Sequence, residues 1–286
     1  MKKTFFVAGG DARQKTVVRL LQERGCTVNH FGLAPDERPT PRSAAMMQQA
    51  DVVLLPLPAE GRAGVLNAPL LREEVPLETL WPFLRPEQKI FGGRLSEQLL
   101  NDAAAHGLTL TDYFKREDFV LRNAYITAEG AVQRTMEQLR CTVRDTRCLV
   151  LGYGRIGKFL ARLLRGFGAE VTVAARNSRA LAQAQLDGCH SCMLTELKSV
   201  LPWCDVIYNT VPHMILDREL LRKVPEHCFC MDLASVPGGI DLPAAEKLGL
   251  NTLWASGLPG KTAPESAGKA VLDTIMQILK EQEVPD

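Results

Sequence analysis

The chain lacks an excess of either charge: 34 basic residues stand against 33 acidic ones, a formal net charge of +1 over 286 residues. So even a balance provides no field to draw in nucleic acid or an anionic membrane, and neither is expected as a partner. Long apolar runs are missing too. The opening Met1-Lys-Lys-Thr-Phe-Phe-Val-Ala-Gly-Gly starts with positive charge, yet its apolar stretch is too short for a signal peptide or a membrane span. It reads as a buried first strand, with a cytoplasmic location as the expectation. There is no short-period repeat and no low-complexity tract. Cysteine is not scarce, at eight residues, but paired CxxC motifs are absent: Cys189-His190-Ser191-Cys192 stands alone, and Cys228 with Cys230 is the other close pair. Scattered thiols in a core-forming chain are expected to be reduced, and no metal site is expected.

What is present is apolar content and alternation. With 46% hydrophobic and 23% charged residues, the chain can bury a sizeable core, and its length suits two domains. Thr4 to Ala8 is β-rich, Gly9-Gly10-Asp11 is a turn, and Val17, Val18, Leu20 and Leu21 give a helical apolar face ending at Gly25. Further strands are expected at residues 28–31, 51–55, 89–91 and 108–110, with a helix over 96–105. The Pro-rich stretches 35–41 and 56–76 suit loops at the rim of a cleft. Over residues 127–143, Ala128, Ala131, Val132, Thr135, Met136 and Leu139 fall at helical spacing and predict a linking helix. A second run of strands follows near residues 147–151, 170–174, 205–209, 228–232 and 251–254, and a last helix over 266–281 is placed on the first domain. The expected fold is α/β: two Rossmann-like doubly wound domains, 1–126 and 127–264, with a cleft between them, a long linking helix, and residues 265–286 packed on the first domain.

Cys148-Leu-Val-Leu-Gly152-Tyr153-Gly154-Arg155-Ile156-Gly157 places three glycines at GxGxxG spacing between an apolar strand and a helix. That is the context dinucleotide binding needs: Gly152 for the tight turn, Gly154 for approach of the pyrophosphate, Gly157 for close helix–strand packing. Where the second strand ends, an NAD site offers a carboxylate to the ribose. This chain has Ala174-Ala175-Arg176-Asn177-Ser178-Arg179 instead. Arg176 can pair a 2′-phosphate, with Asn177 and Ser178 adding donors, so NADP is the expected cofactor. Thr210, Val211 and Pro212, like Leu233, Ala234 and Ser235, follow apolar strands and are expected beside the ribose and nicotinamide.

Five stretches become recognisable as a set: Gly9-Gly-Asp-Ala-Arg-Gln14, Thr127-Ala-Glu-Gly130, the glycine motif, Asp232-Leu-Ala-Ser-Val-Pro-Gly-Gly239 and Gly257-Leu-Pro-Gly-Lys-Thr-Ala-Pro264. Through them the chain resembles, along essentially its full length, the A-subunit family of the dipicolinate synthases of spore-forming bacteria. The resemblance implies an oxidoreductase of the sporulating mother cell that converts dihydrodipicolinate, from the lysine pathway, to dipicolinate together with a flavoprotein-like B subunit. Assembly into a homo-oligomer is expected as well. The family pattern has Arg after Ala-Ser in the late motif, where this chain has Val236; if that Arg binds a substrate carboxylate, another cation must serve here.

A dianionic substrate wants fixed cations, and Arg13 and Lys261, with Ser235, are the candidate substrate-binding residues. His213, Glu129 and Asp11 are the candidate proton acceptors, Asp11 having the alternative of capping the following helix. Two other readings share the layout. A 2-hydroxyacid dehydrogenase would carry a catalytic His before the final helix, where this chain has Leu258-Pro-Gly-Lys-Thr. A non-catalytic NADP-binding subunit would leave the chemistry to its partner.

Overall fold

The computed structural model describes residues 3–283. Residues 1, 2 and 284–286, the outer ends of the expected domain ranges, lie outside the described residues. The chain divides into two compact units, one of residues 1–123 and 263–286, the other of residues 124–262.

In the first unit, β1 (Thr4–Ala8) leads through Gly9-Gly10 into α1 (Ala12–Glu23), followed by β2 (Thr27–Phe31), α2 (Pro41–Gln49), β3 (Val52–Leu54), a small hairpin of β4 (Glu60–Arg62) and β5 (Val65–Leu66), β6 (Lys89–Gly92), α3 (Glu97–Ala105) and β7 (Leu110–Asp112). The main sheet is parallel, ordered β2-β1-β3-β6-β7. This is the 2-1-3-4-5 order of a doubly wound sheet, whose direction of winding switches between β1 and β3. Alternation in β1 serves two helical layers: Phe5 and Val7 join one buried cluster, Phe6 and Ala8 the other. Strand β7 sits two residues later than the expected 108–110, with Leu108 buried in the turn before it.

The helix α4 (Glu117–Gln138) starts ten residues before the expected linking helix. Glu117 and Asp118 in its first turn complement the helix dipole, and buried Phe119, Ala124 and Ile126 continue an apolar side too sparse to read from sequence. The second unit then runs β8 (Arg147–Leu151), α5 (Arg155–Gly166), β9 (Glu170–Ala175), α6 (Ser178–Leu186), β10 (His190–Met193), α7 (Leu197–Val200), β11 (Val206–Asn209), α8 (Arg218–Leu221), β12 (Phe229–Asp232), α9 (Leu242–Lys247), β13 (Asn251–Trp254) and α10 (Leu258–Thr262). Its sheet is parallel throughout, ordered β10-β9-β8-β11-β12-β13. In strand number that is 3-2-1-4-5-6, the dinucleotide-binding order, with its switch point between β8 and β11. Cys148 and Val150 face one buried cluster and Leu149 and Leu151 the other, as a sheet covered on both faces requires. Buried Tyr208 and Thr135 share a hydrogen bond of 2.7 Å that ties α4 to this sheet.

The final helix α11 (Pro264–Glu283) belongs to the first unit. Its Ala270, Val271, Leu272, Ile275, Ile278 and Leu279 share a cluster with Phe5, Val17 and Leu21. Gly268 sets the closeness of that contact: a Cβ there would come within 2.5 Å of the Arg13 carbonyl oxygen and 2.6 Å of Thr16 Cβ. Helices α1 and α11 thus touch backbone to backbone.

Candidate functional site

The glycine turn of the second unit lies at its switch point, where the three glycines do different work. Gly152 has φ +90°, a left-handed conformation that favours glycine, and its N–H bonds the Ala174 carbonyl at 2.8 Å. A Cβ on Gly157 would stand 2.3 Å from the Gly152 carbonyl oxygen, so helix and turn close only around a hydrogen. Gly154 is the opposite case. It is the N-cap of α5, no side chain caps that helix, and a Cβ there would meet nothing within 4 Å. Uncapped N–H groups at the positive end of a 12-residue helix, with open space before them, fit the pyrophosphate of a dinucleotide. Thr210, next in the wall, donates to the Leu151 carbonyl at 2.8 Å and lies with Val211 against Gly152.

The side chain of Tyr153 turns away from this loop: it is buried, and its hydroxyl donates to Asp187 at 2.6 Å. Its backbone stays in the turn. Beyond β9, Arg176, Asn177, Ser178 and Arg179 are all exposed, with no carboxylate among them. Asn177 Oδ1 caps α6 by accepting the Ala180 N–H at 2.8 Å, which leaves its amide N–H groups to donate.

At the ends of β11 and β12 sits a feature the sequence did not reveal as a unit. Asn209 and Asp232 are buried and joined by a 2.8 Å hydrogen bond from Asn209 Nδ2 to Asp232 Oδ1. Asp232 Oδ1 also accepts the Ala234 N–H at 3.0 Å, and Oδ2 accepts Gly239 at 2.7 Å and Ile240 at 3.0 Å. Asn209 holds both ends of Val211, through its carbonyl at 3.0 Å and its N–H at 3.1 Å. One buried pair therefore fixes the loops carrying Thr210–Pro212 and Leu233–Ser235. The only sequence signal was a polar residue closing each of two apolar strands. Gly239 is part of the arrangement: a Cβ would press to 2.5 Å on Asn209 Nδ2 and 2.7 Å on the His213 carbonyl. His213, Ser235 and Val236 are exposed in these loops.

Elsewhere in this unit, Lys261 is exposed on α10. Gly130 explains part of the Thr127-Ala-Glu-Gly130 motif, since a Cβ would meet Thr262 Oγ1 at 2.5 Å where α4 passes α10. Exposed Glu129 lies one turn from Tyr125, whose phenol it pushes up in pKa by its charge first, then burial and a hydrogen bond. Among the described residues, no three His, Cys, Asp or Glu side chains group as a metal site would need, and Cys189 and Cys192 are free thiols raised in pKa by burial.

In the first unit, Asp11 and Arg13 face each other across the turn after β1. Arg13 Nε donates to both Asp11 oxygens, at 2.9 and 3.1 Å, and Nη2 bridges Asp11 at 2.8 Å and the Leu57 carbonyl at 2.6 Å. Leu57 follows β3, so this arginine spans the switch point of its own sheet. Asp11 also accepts the Arg13 N–H at 2.9 Å as the cap of α1, and Gln14 returns a bond to the Asp11 N–H. Burial raises the Asp11 pKa, but the hydrogen bonds and charge of Arg13 outweigh it and hold the carboxyl below its usual value.

A parallel α/β unit with this strand order, glycine turn and uncapped helix is a dinucleotide-binding unit, and the family it matches makes it that of a nicotinamide-dependent oxidoreductase. Residues 108–234 match the family model described as D-isomer specific 2-hydroxyacid dehydrogenase, NAD binding domain, and residues 4–114 match that of the N-terminal domain of the dipicolinate synthase A subunit. The dipicolinate synthase A subunit of Bacillus subtilis is 34% identical over 284 residues, 96% of this chain and 95% of that one. The crystal structure of the corresponding protein from Bacillus halodurans superposes with a TM-score of 0.85 at 29% identity, covering 98% of each chain. D-lactate dehydrogenase of Escherichia coli has the same fold, with a TM-score of 0.62 at 15% identity over 98% of each chain. The chain belongs to the A-subunit family of the dipicolinate synthases. No helix among the described residues is long and apolar enough to cross a membrane.

Proposed function

We propose that the chain is the NADP-binding subunit of a dipicolinate synthase, which converts dihydrodipicolinate to dipicolinate with a flavoprotein-like B subunit in the mother cell of a sporulating bacterium. The observation that carries this reading is relationship over essentially the whole chain, with 34% identity across 284 residues to a protein of that name. Domains of 1–126 for substrate and partner, with the helix over 265–286 packed on it, and of 127–264 for the linking helix and cofactor accompany it, as does a homo-oligomeric assembly. Exposed Arg176 at the ribose end of β9 supports NADP over NAD.

The reaction removes a hydride and a proton from the dihydropyridine ring, and aromatisation makes it downhill. A bound nicotinamide supplies the hydride acceptor. The protein's task is orientation. Arg13 spends Nε and Nη2 on Asp11 and Leu57, which fixes its plane while Nη1 has no hydrogen-bond partner among the described residues; it is assigned to a substrate carboxylate. Asp11, whose oxygens serve Arg13 and the α1 cap, is assigned to holding that arginine rather than taking the proton. His213, in the loop that Asn209 and Asp232 anchor, is assigned as proton acceptor, with Glu129 the second candidate. In the second unit, exposed Lys261 and Ser235 are assigned as substrate-binding residues.

The test is a direct assay with NADP and freshly generated dihydrodipicolinate, with and without the B subunit. Dipicolinate should form, and Arg13→Ala should lower kcat/KM by about a hundredfold, as loss of a charge-assisted carboxylate contact predicts. Turnover that needs the partner and survives Arg176→Ala would place the chemistry outside this chain.

A further inference from the structure

Behind the glycine turn, between α5 and the end of α6, the second unit holds a cavity of about 330 Å³ whose lining includes Tyr153, Lys158, Arg162, Arg165, Gln183 and Asp187. Three of these are cations on one face of α5, at spacings of four and three residues. Such like-charged neighbours destabilise a helix when nothing neutralises them. One carboxylate faces them, and its bonds are already committed. Asp187 Oδ2 accepts the Tyr153 hydroxyl at 2.6 Å and Oδ1 accepts Gln183 Nε2 at 3.1 Å, while Arg165 is held by the Asp187 carbonyl oxygen. Arg162 makes no hydrogen bond to Asp187, although the two charges interact. Lys158 lies over the face of the Tyr153 ring, 5.8 Å away, and close enough to Asp187 for the two charges to interact, without a hydrogen bond between them.

We propose that this cavity is a second anion site, separate from the dinucleotide turn, which takes a compact dianion bearing phosphate or two carboxylates. Arg162 and Lys158 supply the free donors. The Tyr153 hydroxyl and Gln183 each take one Asp187 oxygen, so the carboxylate offsets part of the positive charge but leaves the N–H groups of Arg162 and Lys158 to a ligand. Tyr153 also gives the site its place in the molecule, because its backbone forms the glycine turn while its ring forms the cavity wall. An anion here rests against the same residue that shapes the cofactor's phosphate loop.

The experiment uses the full chain saturated with dinucleotide, so that the helix N-terminus of α5 is filled, and measures binding of inorganic phosphate and, separately, of citrate by equilibrium dialysis. One anion per chain should bind, and the tighter probe names phosphate or carboxylate as the source. Arg162→Gln should weaken binding about tenfold, the size of one charge-assisted hydrogen bond, and Lys158→Gln with Arg162→Gln should abolish it. Both variants should keep their dinucleotide affinity and thermal midpoint, which marks them as folded. Absence of binding by either probe at millimolar concentration, or binding that the double variant leaves unchanged, overturns the proposal. Arg165 is left intact because it holds the Asp187 backbone.

Discussion

Gly154 and Gly157 lie three residues apart, yet a methyl group added to each meets opposite surroundings. At Gly157 it would strike a backbone oxygen at 2.3 Å, a contact no side-chain movement relieves. Gly157→Ala should therefore cost both stability and cofactor affinity, the former by about 1–3 kcal/mol as overpacking does. Gly154→Ala finds open space at a φ of −82°, so urea unfolding should change little while dinucleotide affinity falls, because the methyl occupies ground meant for phosphate. Equal effects of the two substitutions on stability would refute this division of roles. At the ribose end, Arg176→Ala should weaken NADP binding about tenfold and leave NAD binding unchanged in a fluorescence titration. Comparable affinity of the unmodified chain for both cofactors would remove the case for NADP.

Loops at the ends of β11 and β12 owe their shape to a carboxylate that makes no ion pair among the described residues. Asp232 instead accepts from Asn209 and three backbone N–H groups, so Asp232→Asn would turn an amide N–H toward donors and leave buried groups unpaired. The expected cost is about 2–4 kcal/mol, measured by urea denaturation, with weaker nicotinamide-side binding as the loops loosen. At the opposite end of the same sheet, Arg147 at the start of β8 bonds Asp205, just before β11, from its backbone N–H, at 2.8 Å, and from its guanidinium, at 3.0 Å. Those bonds, against the opposing effect of burial and with help from His227, lower the Asp205 pKa from 3.8 to about 2. A depressed folded-state pKa contributes stability at pH above 3.8 that is lost as the pH falls through about 2. Asp205→Asn should remove on the order of 1 kcal/mol near neutrality, after allowance for screening of the half-exposed arginine, and flatten the stability profile between pH 4 and 2. A profile identical to that of the unmodified chain would show that the pair contributes nothing.

At the scale of the whole molecule, the sequence disclosed most where a rule has one physical solution. Gly152, Gly154 and Gly157 between an apolar strand and a helix leave little choice of fold or ligand class, and the expected α/β class with two wound sheets is what the structure has. Local patterns disclosed less where the cause is long-range. Residues 117–126 lack a dense apolar stripe, so the start of α4 was hidden, and Asn209 with Asp232, 23 positions apart, could be paired only by adjacent parallel strands. The direction in which Tyr153 points was equally invisible, because GxGxxG constrains backbone and says nothing of the ring between two glycines. Helix α11 shows what such distant contacts contribute, since its apolar side fills the core of a unit whose other elements all precede residue 124. Ile275 is fully buried there with Phe5, Val17 and Leu21. Ile275→Ala should therefore cost about 2–5 kcal/mol, seen as an earlier urea transition. The dinucleotide turn belongs to the other unit, so protein still folded under the assay conditions should bind its cofactor within about twofold of the unmodified chain, well under the tenfold that 1.4 kcal/mol would produce. If affinity falls in proportion to stability instead, the cofactor site depends on the first unit's core, and the assignment of binding to the glycine turn and its neighbouring loops alone is refuted.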